Sequence, residues 1–213
     1  MGLTLPLMTP EICVLLLVDP QPGLAFAVQS IDRQMLVNNL RALAETALAF
    51  DLPIVVSTSA TRVYSGPVMA AVREVIGDSA VLERRNMNAW EDEAVRSAVQ
   101  ATRRKTLLVA GLLTEACVAF PVLCAAADGY TVYVVADACG GASALGHQYA
   151  LSRMRDGGAQ VTSWLQVLLE LQRDWTRRST YDAARGVVER YGGGYGIGLS
   201  YARDMIAPPV AQP

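Results

Sequence analysis

Residues Ile12–Val18 form an unbroken apolar run that stops at Asp19 and the turn Pro20-Gln21-Pro22-Gly23. A strand that is apolar on both faces needs cover above and below, as a central strand of a parallel sheet between helices has. The chain supplies that cover. Asp32 caps a helix over 32–50, with Leu36, Leu40, Leu43 and Ala47 on one face, and Asp51-Leu52-Pro53 ends it. Ile54–Ser57 reads as a second strand, Pro67–Ile76 as a helix and Ala80–Glu83 as a third strand. After the polar loop Arg84–Trp90 comes a helix near Asp92–Thr102, then a fourth strand, Thr106–Ala110. Thr114 is the expected cap of a helix to about Ala127, closed by Asp128-Gly129. A fifth strand over Val132–Ala136, a helix over Ser143–Asp156, a sixth strand over Gln160–Thr162 and a helix over Leu165–Trp175 complete the core. Six strand-then-helix units with short links predict an α/β doubly wound sheet with right-handed crossovers.

Composition removes several classes of function. The chain has 213 residues, 52% of them hydrophobic, enough for one domain with a sizeable core. Its formal net charge of −2 leaves no basic excess for phosphates, so nucleic acid is not an expected partner. The apolar run is far shorter than the ~20 residues of a spanning helix, and no membrane is expected. Residues 1–18 lack Lys and Arg and carry Glu11 ahead of the run, unlike a signal peptide. Four cysteines without a CxxC pair suggest reduced thiols and a cytoplasmic setting. A single histidine excludes metal sites built on two or three histidines. No cofactor is expected: the first strand–helix turn is not GxGxxG, the glycine cluster 192–198 follows no strand, and no Walker sequence exists.

Ligands of open parallel sheets bind at the carboxyl ends of the strands. The residues there are Asp19, Thr58, Arg84 and Arg85, the stretch Gly111–Cys117, and Asp137 with Cys139. Cys117 is the best nucleophile candidate. With Thr114 as cap it falls in the first helical turn, where free N–H groups and the helix dipole favour a thiolate and could hold an oxyanion. The plain alternative is a small buried hydrophobe. Glu115 opposes a thiolate unless it turns away. Cys139 competes from its loop, whereas Cys13 and Cys124 read as core. Asp19 is the candidate base, a partly desolvated carboxylate, or else a turn residue before Pro-x-Pro-Gly. His147 lies in a predicted helix and reads as packing. Arg84 is either a fixed charge facing Asp19 and the thiol or a solvated residue with Arg85 inward. Gln21 and Asn88 are assigned to the substrate pocket, with Trp90 as its wall or as cover for the sheet edge.

Taken together, Val18-Asp19-Pro20-Gln21, a cation after the third strand, and Gly111-Leu112-Leu113-Thr114-Glu115-Ala116-Cys117-Val118 resemble the isochorismatase-like cysteine hydrolases. Met87-Asn88-Ala89-Trp90-Glu91-Asp92, Cys117-Val118-Ala119-Phe120-Pro121 and Glu170-Leu171-Gln172-Arg173-Asp174-Trp175 look like the YcaC-like branch. The resemblance covers about residues 10–175. It implies strand order 3-2-1-4-5-6 in a mostly parallel sheet and an Asp–Lys–Cys triad, matched by Asp19 and Cys117 but with Arg84 in the lysine position. It also implies a non-proline cis peptide at Leu112–Leu113 and a homo-oligomer as large as an octamer.

The expected activity is metal-independent hydrolysis of a small amide or carbamoyl substrate, with the N–H groups of Leu113 and Cys117 as oxyanion hole. Two rivals stand beside it: a vinyl-ether hydrolase that uses Asp19 without the thiol, and a noncatalytic oligomeric binding protein. Residues 1–175 are the expected hydrolase domain. Residues 176–213 are read as an extension, either an arm on the domain or on a neighbouring subunit, or a frayed end. Its one expected helix is Tyr181–Tyr191, and Tyr181, Tyr191, Tyr195 and Tyr201 are its interface candidates.

Overall fold

A computed structural model of the chain describes residues 7–206. Six strands, β1 (Cys13–Val18), β2 (Ile54–Ser59), β3 (Val81–Arg84), β4 (Thr106–Leu112), β5 (Thr131–Gly140) and β6 (Gln160–Thr162), form one sheet in the order β3-β2-β1-β4-β5-β6. Every neighbouring pair is parallel. This is the doubly wound sheet that the alternation and the resemblance led us to expect. All six residues of β1 are buried, because helices cover both faces of the centre. Leu15, Leu16 and Leu17 are fully enclosed, and truncating any one to alanine should cost about 2–5 kcal/mol.

The helices are α1 (Pro22–Ala25), α2 (Arg33–Ala49), α3 (Ala70–Ile76), α4 (Glu93–Ala101), α5 (Ala119–Ala127), α6 (Ala144–Asp156), α7 (Trp164–Gln172), α8 (Arg178–Tyr191) and α9 (Gly194–Ile206). Asp32 caps α2 by accepting from Met35 N at 2.9 Å, and Leu36, Leu40, Leu43 and Ala47 are its buried stripe. Register aligns the carboxyl ends of the strands. Val18 pairs with Ser57 on one side and Gly111 on the other, and Ser59 pairs with Arg84. The sheet order reverses between β1 and β4, so the crevice of a doubly wound fold opens there.

Two expectations change. First, β4 and β5 run past Ala110 and Ala136, which draws Asp137 and Cys139 into the ladder rather than into a loop. Second, the extension holds a helix beyond the one expected: Gly194, Gly196 and Gly198 lie within α9. A Cβ on Gly192 would come within 2.6 Å of the Val188 carbonyl oxygen, and one on Gly196 would collide with the same oxygen. The glycines therefore let α9 turn closely back on α8. Within the extension, α8 packs on the protein's own α2 through buried Ala184, Val187 and Val188, as an arm on the domain would. Asn38 donates to the Tyr191 carbonyl at 3.2 Å, and the Tyr191 hydroxyl and Arg190 both engage Glu45. Tyr195 and Tyr201 remain exposed. The last seven positions of the expected extension lie outside the described residues.

Candidate active site

Asp19 leaves β1 with φ +48°, a left-handed conformation that bends the chain as it exits the sheet. Its N–H donates to the Ser57 carbonyl at 2.9 Å and its carbonyl accepts from Gln21 N at 2.7 Å. The carboxylate is fully buried. Ser57 donates to Oδ1 at 3.2 Å, and Ser59 to Oδ2 at 2.9 Å. Arg84, also fully buried, pairs with Oδ2 through Nη2 and donates from Nη1 to the Asn86 carbonyl. Its Nε has no hydrogen-bond partner among the described residues. Burial pushes the Asp19 carboxyl up, against the pull of Arg84, then Ser59, Ser57 and the Cys117 thiol. Removing either charge of such a buried pair strands the other. Arg85 is exposed, so the inward residue of this loop is Arg84.

Cys117 arrives from β4. The peptide Leu112–Leu113 is cis, and the chain then enters a π-helical turn, Thr114–Val118, that leads into α5. Gly111, with φ +136°, makes the crossing possible: a Cβ there would fall on the Val18 carbonyl oxygen. The cap position is Leu113 and not Thr114, because the buried Thr114 hydroxyl is taken by His147 Nδ1 at 2.8 Å. The Leu113 carbonyl accepts from both Ala116 N and Val118 N at 3.2 Å. Glu115 turns away from the thiol and accepts from Ala142 N at 2.9 Å.

The first-turn argument for a ready thiolate is corrected here. Burial, and then the Asp19 charge, push the Cys117 thiol above its usual range, while Arg84 and a backbone hydrogen bond from Leu113 pull it down. Cys117 is therefore favoured as a thiol beside the Asp19 carboxyl. Cys139 is fully buried and pushed up to about 12 by desolvation, which removes it as a competitor. Cys13 is likewise pushed up to about 12.

A cavity of about 620 Å³ opens over Cys117, bounded by Leu24, Ala60, Arg84, Met87, Leu113 and Ala116 among others. Three residues assigned to it from sequence lie elsewhere. Gln21 is buried, with its Nε2 on the carbonyls of Ser59 (3.1 Å) and Gly66 (2.5 Å) and its Oε1 on Ser59 N (2.9 Å). It fastens the cavity's wall and does not face its contents. Trp90 is buried, with its indole N–H on Asp128 at 2.7 Å and its ring edge-on to Tyr130. Asn88 points to Glu91 and Cys124, behind the loop. Conversely, Ser57 and Ser59 orient the carboxylate and were not singled out from sequence. The polar run Ser57-Thr58-Ser59 after apolar Ile54-Val55-Val56 was the available signal, once β2 is set beside β1.

A doubly wound sheet with a buried acid and guanidinium beside a half-buried thiol at its switch point defines a class. The isochorismatase domain model matches residues 13–166, and the chain belongs to that family. Within it the chain falls in the YcaC-like branch. It is 40% identical over 161 residues to the probable hydrolase YcaC of Escherichia coli, covering 75% of this chain and 77% of that protein. The crystal structure of E. coli YcaC, an octameric hydrolase of unknown specificity, superposes with TM-score 0.89 at 35% identity, over 96% of this chain and all of that one. YcaC from Pseudomonas aeruginosa, solved with hexane-2,5-diol and covalent acrylamide, gives TM-score 0.89 at 33% identity, over 93% of this chain and 98% of that one. Family membership supports a hydrolase. Among the described residues, no helix is long and apolar enough to cross a membrane.

Proposed function

We propose that the protein is a metal-independent cysteine hydrolase that cleaves the C–N bond of a small amide or carbamoyl compound. The observation that carries this reading is the convergence of buried Asp19 and Arg84 on half-buried Cys117, with Arg84 and Cys117 lining a single cavity. Asp19 accepts the thiol proton while Arg84 faces the charge that develops on sulfur. The thiolate attacks the carbonyl carbon, and the N–H groups of Leu113 and Cys117 hold the oxyanion. Collapse breaks the C–N bond, and the amine leaves with the proton from Asp19. Water then gives a proton to Asp19, attacks the thioester, and releases the acid as sulfur regains its proton. The covalent acrylamide in the P. aeruginosa protein is in keeping with a nucleophile in this fold, since acrylamide alkylates thiols.

Ammonia release from a panel of primary amides, ureas and carbamates, with acyl-enzyme trapped for intact-mass measurement, tests this reading. Turnover should survive chelation and vanish in Cys117→Ala. Ether cleavage that persists in Cys117→Ala would favour the vinyl-ether hydrolase, and binding without any turnover the noncatalytic protein. We further propose a homo-oligomer, supported by the octameric E. coli relative. Light scattering on the full chain and on a chain ending near Arg178 tests both assembly and the part of α8–α9 in it.

A further inference from the structure

Resting on that reading, we propose that the substrate is an uncharged amide with a small apolar acyl group, and that a carboxylate on the acyl chain is rejected. Two independent features of the cavity point there. The first is its wall. Leu24, Ala60, Leu113 and Ala116 surround the thiol, and Met87 lies at the opening with 70% of its surface exposed. Such a wall favours methyl and methylene groups over polar ones.

The second feature is that three polar residues lining the cavity, Ser59, Glu83 and Arg84, are already engaged. Arg84 is paired with Asp19 and donates to Asn86. The Ser59 hydroxyl donates to Asp19. Glu83 accepts from Thr58 at 2.7 Å and from Thr61 N at 3.0 Å. Arg85 and Glu83 stand in solvent with opposite signs at the rim. A substrate carboxylate held against the apolar wall would be desolvated there, since Arg84 is already paired and Arg85 lies out in solvent beside Glu83. The Arg84 Nε, without a partner among the described residues, is one remaining donor, on a guanidinium that already acts on the Cys117 thiol.

Butyramide and succinamate are near-isosteres that differ by one terminal carboxylate. Ammonia release should favour butyramide by about tenfold or more in kcat/KM, the scale on which a pocket rejects a group it cannot pair. Met87→Arg, which adds an unpaired cation at the opening, should narrow that ratio. Equal turnover of the two amides, or faster turnover of succinamate, overturns the inference while leaving the hydrolase reading intact. The alkylation of Cys117 supplies a second measurement that needs no turnover. The rate ratio of iodoacetamide to iodoacetate at Cys117 should exceed that of glutathione at the same pH by about tenfold. A ratio at or below that of glutathione overturns the inference, whereas absence of ammonia release from every amide counts against the hydrolase reading alone.

Discussion

β4 and β5 lie side by side, with Gly111 paired to Cys139, and each strand brings a cysteine toward the same edge of the sheet. Their fates differ. β5 stays in the ladder through Gly140, so Cys139 is sealed in, with desolvation pushing its thiol up to about 12. β4 stops at Leu112 and turns, so Cys117 meets Asp19, Arg84 and the cavity. Nearness to the fertile edge is not sufficient for a nucleophile. The chain must leave the sheet where a base and a cation from other strands converge.

The largest test of this contrast is substitution of the two cysteines. Cys117→Ala should lower kcat by about 10⁴-fold or more, the scale of losing a nucleophile. Cys139→Ala should leave kcat within about twofold, because it touches no reacting group. Steady-state kinetics on any amide found to be turned over reads both. Next comes alkylation by iodoacetamide, mapped by peptide mass. The native protein should label at Cys117 and stay unlabelled at Cys139 until it unfolds; preferential labelling of Cys139 would reverse the comparison.

Arg84→Met makes Cys117 more like Cys139. Both the thiol and Asp19 lose a group that lowers their pKa values, so each moves further up. Turnover should fall by about 10²-fold or more, and Arg84→Lys should retain more of it. Arg85→Met, at an exposed residue, should stay near wild type. Circular dichroism guards against a folding defect, and loss in the Arg85 variant alone would show that the loop is misregistered.

The smallest expected effect is on pH. The active pair needs Asp19 ionised and one proton on sulfur. kcat/KM should therefore rise with pH through an apparent pKa above the ordinary carboxylate value of 3.8, since burial raises Asp19. It should fall again only above the ordinary thiol value of 9.0, since Cys117 is raised as well. An acid limb at or below 3.8 would remove Asp19 as the base.

Much of the fold was legible because burial leaves a mark on sequence. Ile12–Val18 could only be a central strand, and the stripe Leu36, Leu40, Leu43 could only be a covered helix face. Asp19, Arg84 and Cys117 were legible as residues that follow strands. Their hydrogen bonds were not, since those depend on register: Ser59 reaches Asp19 only because β2 runs two residues past the Val18–Ser57 pairing. Thr114 was misread as a cap because local propensity favours a hydroxyl there, while His147, distant in sequence, claims that hydroxyl. Gln21 and Trp90 were misread for the same reason, each having a tertiary partner that sequence does not display. The second helix of the extension, α9, was not expected because glycine disfavours a helix intrinsically, and propensity says nothing of the Val188 carbonyl that excludes a side chain.

Gln21 also bears on how molecules come and go. One amide holds Ser59 and Gly66, and Glu83 holds Thr58 and Thr61 of the same segment from the other side. Detaching residues 59–66 means breaking these bonds together, whereas Met87 needs only a change of rotamer to clear the opening. Met87 is therefore the expected point of passage, in a frame that stays fixed. Amide hydrogen exchange at Ser59 and Thr61 should stay slow with the cavity empty or full, and the rate of product escape should follow the size of residue 87.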